Sequence, residues 1–176
     1  MDESPCPAPV GVGDELVDVV DGDDQVIGVA TRREMRAGRL RHRTAFVIVR
    51  ASDGKVLIHR RAENKDVWPG KWDLAAGGVL GQGEAYEDGA RRELLEELGI
   101  DGVPLRSLGQ GAFEDGRVSE IAAIFEVTWD GPVRFADGEV VEARWVTDTE
   151  LERMLAELPF VPDSVALVVP LVLTDR

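Results

Sequence analysis

Residues 78–100 read GVLGQGEAYEDGARRELLEELGI, and no other stretch limits the fold as tightly. Positions 84–98 contain no proline and are rich in Glu, Ala, Arg and Leu, all strong helix formers, and Gly99 follows as a stop. On that helix Glu93, Glu96 and Glu97 fall within about a 100° arc of one face. Like charges three and four residues apart repel by roughly a few tenths of a kcal/mol each, so the clustering costs stability on its own. An acidic helix is ordinarily a solvated face. The alternative is a cation bound at that face. Mg²⁺ takes hard oxygen ligands and would remove the repulsion.

The rest of the chain supplies an α/β frame around this helix. Glu15–Val20 and Gln25–Ala30 are apolar β-branched runs joined by Asp21-Gly22-Asp23-Asp24, which predicts a hairpin. Thr31 with Glu34 predicts a capped short helix to Ala37, and Ser52-Asp53-Gly54 predicts a second hairpin between Thr44–Arg50 and Lys55–Arg60. After the acidic helix come three strand-like stretches, Val103–Leu108, Val118–Val127 and Val140–Val146. Thr147 with Glu150 opens a helix to about Leu158, and Asp163 stands where it would cap a last apolar helix that Pro170 bends or ends. Residues 1–13, with Pro5, Pro7 and Pro9, read as a flexible tail, and 14–176 as one domain.

Composition excludes several classes of partner. The formal net charge is −14, with no basic stripe for nucleic acid or an anionic membrane. An acidic protein can still bind phosphates if a divalent metal stands between the two sets of charge. The single cysteine, Cys6, forms no internal disulfide, the start shows no signal peptide, and the longest apolar run, Val165 to Leu173, is too short to span a bilayer. A cytoplasmic protein is expected.

Residues 78–100 resemble the Nudix box, G-x5-E-x7-R-E-U-x-E-E-x-G-U with U apolar, at every specified position. The resemblance implies an α/β/α sandwich with a mixed central sheet, here preceded by the N-terminal hairpin. It implies hydrolysis of a phosphoanhydride in a small-molecule diphosphate, a nucleoside diphosphate linked to another group. Mg²⁺ or Mn²⁺ is then held by Glu93, Glu96 and Glu97, with Glu84 and the Gly78 carbonyl in support. Arg92 holds the glutamates in place, Leu94 and Ile100 belong to the core, and Gly99 turns the chain. Homodimers are common in the family. The base that takes a proton from water often lies outside the box, and two residues compete for that role: Glu139, just before a strand ending near Trp145, and Glu120 in Ser119-Glu120-Ile121.

A wider stretch narrows the likeness. His59-Arg60-Arg61-Ala62 and Lys65-Asp66-Val67-Trp68-Pro69-Gly70-Lys71-Trp72 resemble the branch related to isopentenyl-diphosphate isomerase, with Leu40-Arg41-His42-Arg43 extending the match. Glu120 matches an isomerase active-site glutamate. The isomerase cysteine, however, falls at Gly77, and isomerases carry a degraded box. Hydrolysis is therefore the expected activity; isomerisation and a non-catalytic, metabolite-sensing domain are the alternatives. Arg60, Arg61, Lys65 and Lys71 are candidates for phosphate contacts and Trp68 for a wall of the substrate pocket, against the ordinary readings of a solvated basic patch and core packing.

Overall fold

The computed structural model describes residues 11–135 and 138–173. Most of the expected tail, with Cys6, lies outside these residues; its last part leads into one turn of 3-10 helix, Val12–Asp14. β1 (Leu16–Val20) and β2 (Val26–Thr31) form the first hairpin. Asp21 builds its turn, accepting from the N–H groups of Asp23 and Gln25 at 2.9 and 3.0 Å. α1 (Arg32–Gly38) starts with the full capping box: Thr31 Oγ1 accepts from the Glu34 N–H, and the Glu34 carboxylate accepts from the Thr31 N–H.

β3 (His42–Arg50) is the spine of the sheet. On one side β8 (Ser119–Thr128) runs parallel to it from His42↔Glu120 to Arg50↔Thr128. On the other side β1 meets its start, β6 (Ala76–Val79) its middle and β4 (Val56–Arg61) its end. The turn expected between β3 and β4 is present, with Gly54 N–H donating to Ala51 O at 2.9 Å. The two strands then pair only at Arg50↔Val56. Beyond that point β4 pairs with β9 (Val140–Val146) and β5 (Trp72–Asp73), and β6 takes the place beside β3. The sequence reading contains neither β5 nor β6. β5 is two residues long, and β6 is Ala-Gly-Gly-Val, whose glycines remove any alternating pattern.

β3 packs on both faces because its side chains alternate. Ala45, Val47 and Val49 meet Ala90, Leu94 and Leu98 of α2 (Tyr86–Leu98), with Ile100 beyond. Phe46 and Ile48 meet Leu151 and Met154 of α3 (Asp148–Glu157), and Val168 and Val172 around the joint of α4 (Pro162–Leu167) and α5 (Val169–Leu173). This is the expected α/β/α sandwich. Gly99 ends α2 at φ 67°, where a Cβ would press on Arg134.

Two expectations need correction. The ladder of β7 (Arg106–Glu114) starts three residues later than expected, because Val103 and Leu105 pack against the α2 cluster instead of pairing. Asp163 does not cap α4; Val161 holds that position and Pro162 is the first helical residue. A proline is suited to that place, since its missing N–H is one no helix uses. Asp163 is thereby moved into the helix and buried. The break expected at Pro170 is present as the division between α4 and α5. No helix among the described residues is long and apolar enough to cross a membrane.

Candidate active site

Where the start of β3, β6, α1, the loop between β4 and β5, and α4 come together, they leave a cleft of about 570 Å³. One wall is residues 78–100. β6 and α2 approach closely because Gly78 has no side chain, where a Cβ would overlap the Glu93 carboxylate; a Cβ on Gly77 would instead strike the Ala45 carbonyl and Phe46 of β3. Glu93 and Glu97 are therefore buried, at 8% and 1% exposure. Glu97 Oε2 accepts from the Gly77 N–H at 3.1 Å, while Lys65 Nζ and His59 Nε2 stand 3.9 Å from its carboxylate. Burial, then the charge of Glu93, pushes the Glu97 carboxyl well above the usual carboxylate range. Burial also raises Glu93, against the pull of Arg92. His59 is buried and neutral, its basicity lowered to about 4.

Arg92 organises this wall. Its guanidinium donates to both oxygens of Glu84 at 2.8 and 2.9 Å, to Glu93 at 2.6 Å and to Glu96 at 3.3 Å. Glu84 also accepts from the Gly81 N–H. Burial disfavours the charge on Glu84, but these donors outweigh it and hold its carboxyl below the usual range. Lys65 links the wall to the rim through an ion pair with Glu139.

The facing wall carries a second acidic group. Arg61 donates to Asp73 at 3.4 Å and to the Val67 carbonyl at 3.0 Å. Asp73 also accepts from the Leu74 N–H and the Ser164 hydroxyl, which ties α4 to the floor of the cleft. Asp163, next along α4, is raised to about 6 by burial and by the charge of Asp73. Its neighbour Glu120 is raised well above the usual range by burial and by Asp163.

The NUDIX domain family model matches residues 40–166. The chain belongs to the Nudix hydrolase family. It is 43% identical over 150 residues to an uncharacterised Nudix hydrolase, YfcD, of Escherichia coli K12, covering 85% of this chain and 82% of that one. Among solved structures, DR0079 of Deinococcus radiodurans aligns with a TM-score of 0.74 at 28% identity, over 90% of this chain and 97% of that one. A MutT protein of Methanosarcina mazei aligns at 0.63 with 30% identity, over 75% and 92%.

In this Nudix hydrolase the structure brings most of the expected site residues to one cleft. Gly78, Glu84, Arg92, Glu93 and Glu96 line one wall, Glu139 lies beside Lys65, and Arg61, Trp68 and Glu120 line the remainder. Glu97 lies one layer deeper. Leu94 and Ile100 are core residues, as expected. Arg60 and Lys71 do not line the cleft. Strand alternation turns Arg60 away from Arg61, toward Glu142 at 3.5 Å, and Lys71 lies over the Trp68 ring at 5.1 Å. Trp72 is core. Asp73, Thr44, Arg32 and Arg36 line the cleft without having been singled out in sequence, and Asp163, expected only as a helix cap, lines it too. Arg32 and Arg36, four apart on a short helix, carried the one usable signal: a shared face.

The donor set suits a hard divalent cation, since Glu84, Glu93, Glu96 and Glu97 offer only carboxylate oxygens. Among the described residues no three such side chains are gathered into a ready metal cage. Arg92 and Lys65 stand among the carboxylates instead. Two carboxylates in burial without full neutralisation are what a cation at this wall would relieve.

Proposed function

We propose that this Nudix hydrolase cleaves a phosphoanhydride bond in a nucleoside diphosphate linked to another moiety. In this reading Mg²⁺ or Mn²⁺ is held by Glu93, Glu96 and Glu97, with Glu84 and the Gly78 carbonyl in support. The observation that carries the reading is the pair of buried glutamates beneath two glycines, on a cleft wall that faces Arg61 and Lys65. A bound divalent cation supplies charge neutralisation at the diphosphate and lowers the pKa of water. Arg61 and Lys65 bind the diphosphate oxygens, and Asp73 orients Arg61. Arg92 keeps Glu84 and Glu93 in place. Glu139, paired with Lys65 on the Glu97 side of the cleft, takes the proton from water. Glu120, whose carboxyl burial and Asp163 raise above the usual range, lies across β3 from the box.

Purified protein should hydrolyse at least one nucleoside-diphosphate derivative with Mg²⁺ or Mn²⁺, releasing nucleoside monophosphate or phosphate, and EDTA should abolish the reaction. Folded protein that turns over nothing in a broad panel would favour the sensing reading. Isomerisation is the second reading because Glu120, a carboxyl of the kind that can exchange a proton with substrate, is buried and lines the cleft. Against it, a side chain at position 77 would collide with the β3 backbone, so a cysteine has no room there. We expect no conversion of isopentenyl to dimethylallyl diphosphate above background. Deuterium from solvent in the allylic product would contradict this.

A further inference from the structure

Eight buried side-chain polar atoms among the described residues make no hydrogen bond within the protein, although two of them stand near a carboxylate, Arg36 Nε 3.4 Å from Asp66 and His59 Nε2 3.9 Å from Glu97. Six of them, Arg32 Nε, Arg36 Nε, Thr44 Oγ1, Arg61 Nε, Trp68 Nε1 and Glu120 Oε1, belong to residues lining the one cleft. Buried polar groups are normally satisfied, so a concentration of unsatisfied ones marks where a ligand completes the bonding. Three of these residues, Thr44, Trp68 and Glu120, are at least nine-tenths buried, at 3%, 7% and 3% exposure, and Thr44 and Asp163 both lie against the Glu120 carboxyl. They play no part in holding the diphosphate in the reading above. Trp68 also sits in the left-handed region at φ 54°, which a bulky residue rarely occupies.

The chemistry of this wall selects the ligand. Trp68 Nε1 can only donate, the Thr44 hydroxyl can do either, and Glu120 offers an acceptor oxygen. Val118 and Val161 pack with Trp68 as apolar surface. A hydrocarbon chain would leave every one of these polar atoms unmatched. A sugar would press some hydroxyls onto the valines. A planar ring with donors and acceptors along one edge, and apolar faces, matches both. Lys71 and Arg117 already lie over the Trp68 ring at 5.1 and 5.2 Å, which points to recognition by the indole N–H rather than by stacking.

We propose that Thr44, Trp68 and Glu120 form the subsite that reads the heterocyclic base of the substrate through its hydrogen-bonding edge. This rests on the proposed nucleoside diphosphate activity and names the part of the protein that selects the nucleoside. The test is binding of nucleoside 5′-monophosphates to the full chain in EDTA, with ribose 5-phosphate as the base-free comparison. At least one monophosphate should bind tenfold or more tightly than ribose 5-phosphate. Thr44→Val keeps the shape and removes the hydroxyl, Trp68→Phe keeps an aromatic ring and removes the indole N–H, and each should narrow that gap about tenfold. If Trp68→Phe fails to fold, Thr44→Val carries the test alone. Equal affinity for nucleotide and ribose phosphate, or an unchanged gap in folded variants, would overturn the subsite. Measuring hydrolysis on the same preparations separates the two readings. Turnover without base-dependent binding overturns the subsite alone, and base-dependent binding without turnover overturns the activity.

Discussion

Replacing Glu97 by glutamine should raise the melting temperature of the metal-free protein and remove most of the shift that Mg²⁺ or Mn²⁺ gives the wild type. Glu97 is 1% exposed, and the donor within hydrogen-bonding distance is the Gly77 N–H, which a glutamine oxygen can still accept. The carboxyl is held well above its usual range, chiefly by burial and then by Glu93. Ionising it therefore costs more in the folded than in the unfolded chain, and stability is lost as pH rises toward and through the folded value. The glutamine variant escapes that loss. Its advantage should vanish below about pH 4, where the unfolded carboxyl is also protonated, and grow toward neutral pH. With metal the order reverses. A ligand bound only by the native state adds about 2.7 kcal/mol at a hundredfold excess over Kd. In a domain of this length that is roughly 5–11 °C in Tm. Equal metal shifts in wild type and variant would remove Glu97 from the metal site. An equal loss of stability with and without metal would make it a structural residue only.

The wall around Glu97 was the part most readable in sequence, because its chemistry is local. Glu84 through Gly99 lie on one helix and its entry loop, so spacing alone places them together. The same holds for the Asp21 turn and the two Thr-x-x-Glu boxes, where the residues that make the structure are neighbours in the chain. The facing wall was not readable, because it is assembled from distant segments. Asp73 comes from a two-residue strand, and Ser164 reaches it across 91 positions. Asp163 carried a misleading local signal: an acid near the start of a helix ordinarily caps it, but Pro162 moved the cap back to Val161. Arg60 and Arg61 looked equivalent as a basic pair, and only the strand's alternation separates the one that faces Glu142 from the one that faces Asp73. Glu120 and Glu139 could not be ranked as bases from sequence, since each sits at the start of a strand and their separation depends on β3 lying between the box and β8.

That separation supports a ranking by experiment. Glu139→Gln should lower kcat by roughly 10²–10⁴-fold, the range expected when a general base is lost, while the metal-induced shift in Tm is retained. Retention matters because Glu139 pairs with Lys65, and Lys65 stands 3.9 Å from Glu97. A variant that disturbed the metal site through Lys65 would lose the shift along with the rate. Glu120→Gln should act differently. Burial and the charge of Asp163 raise its carboxyl well above the usual range and so disfavour its charged form, and an amide matches its shape. Its main effect should fall on KM for the nucleoside, with kcat changed by no more than about threefold. A large fall in kcat for Glu120→Gln, with Glu139→Gln near wild type, would exchange the two assignments. If neither variant loses more than about threefold in kcat, the proton goes to one of the box glutamates, and Glu93, whose carboxyl burial also raises, becomes the group to replace next.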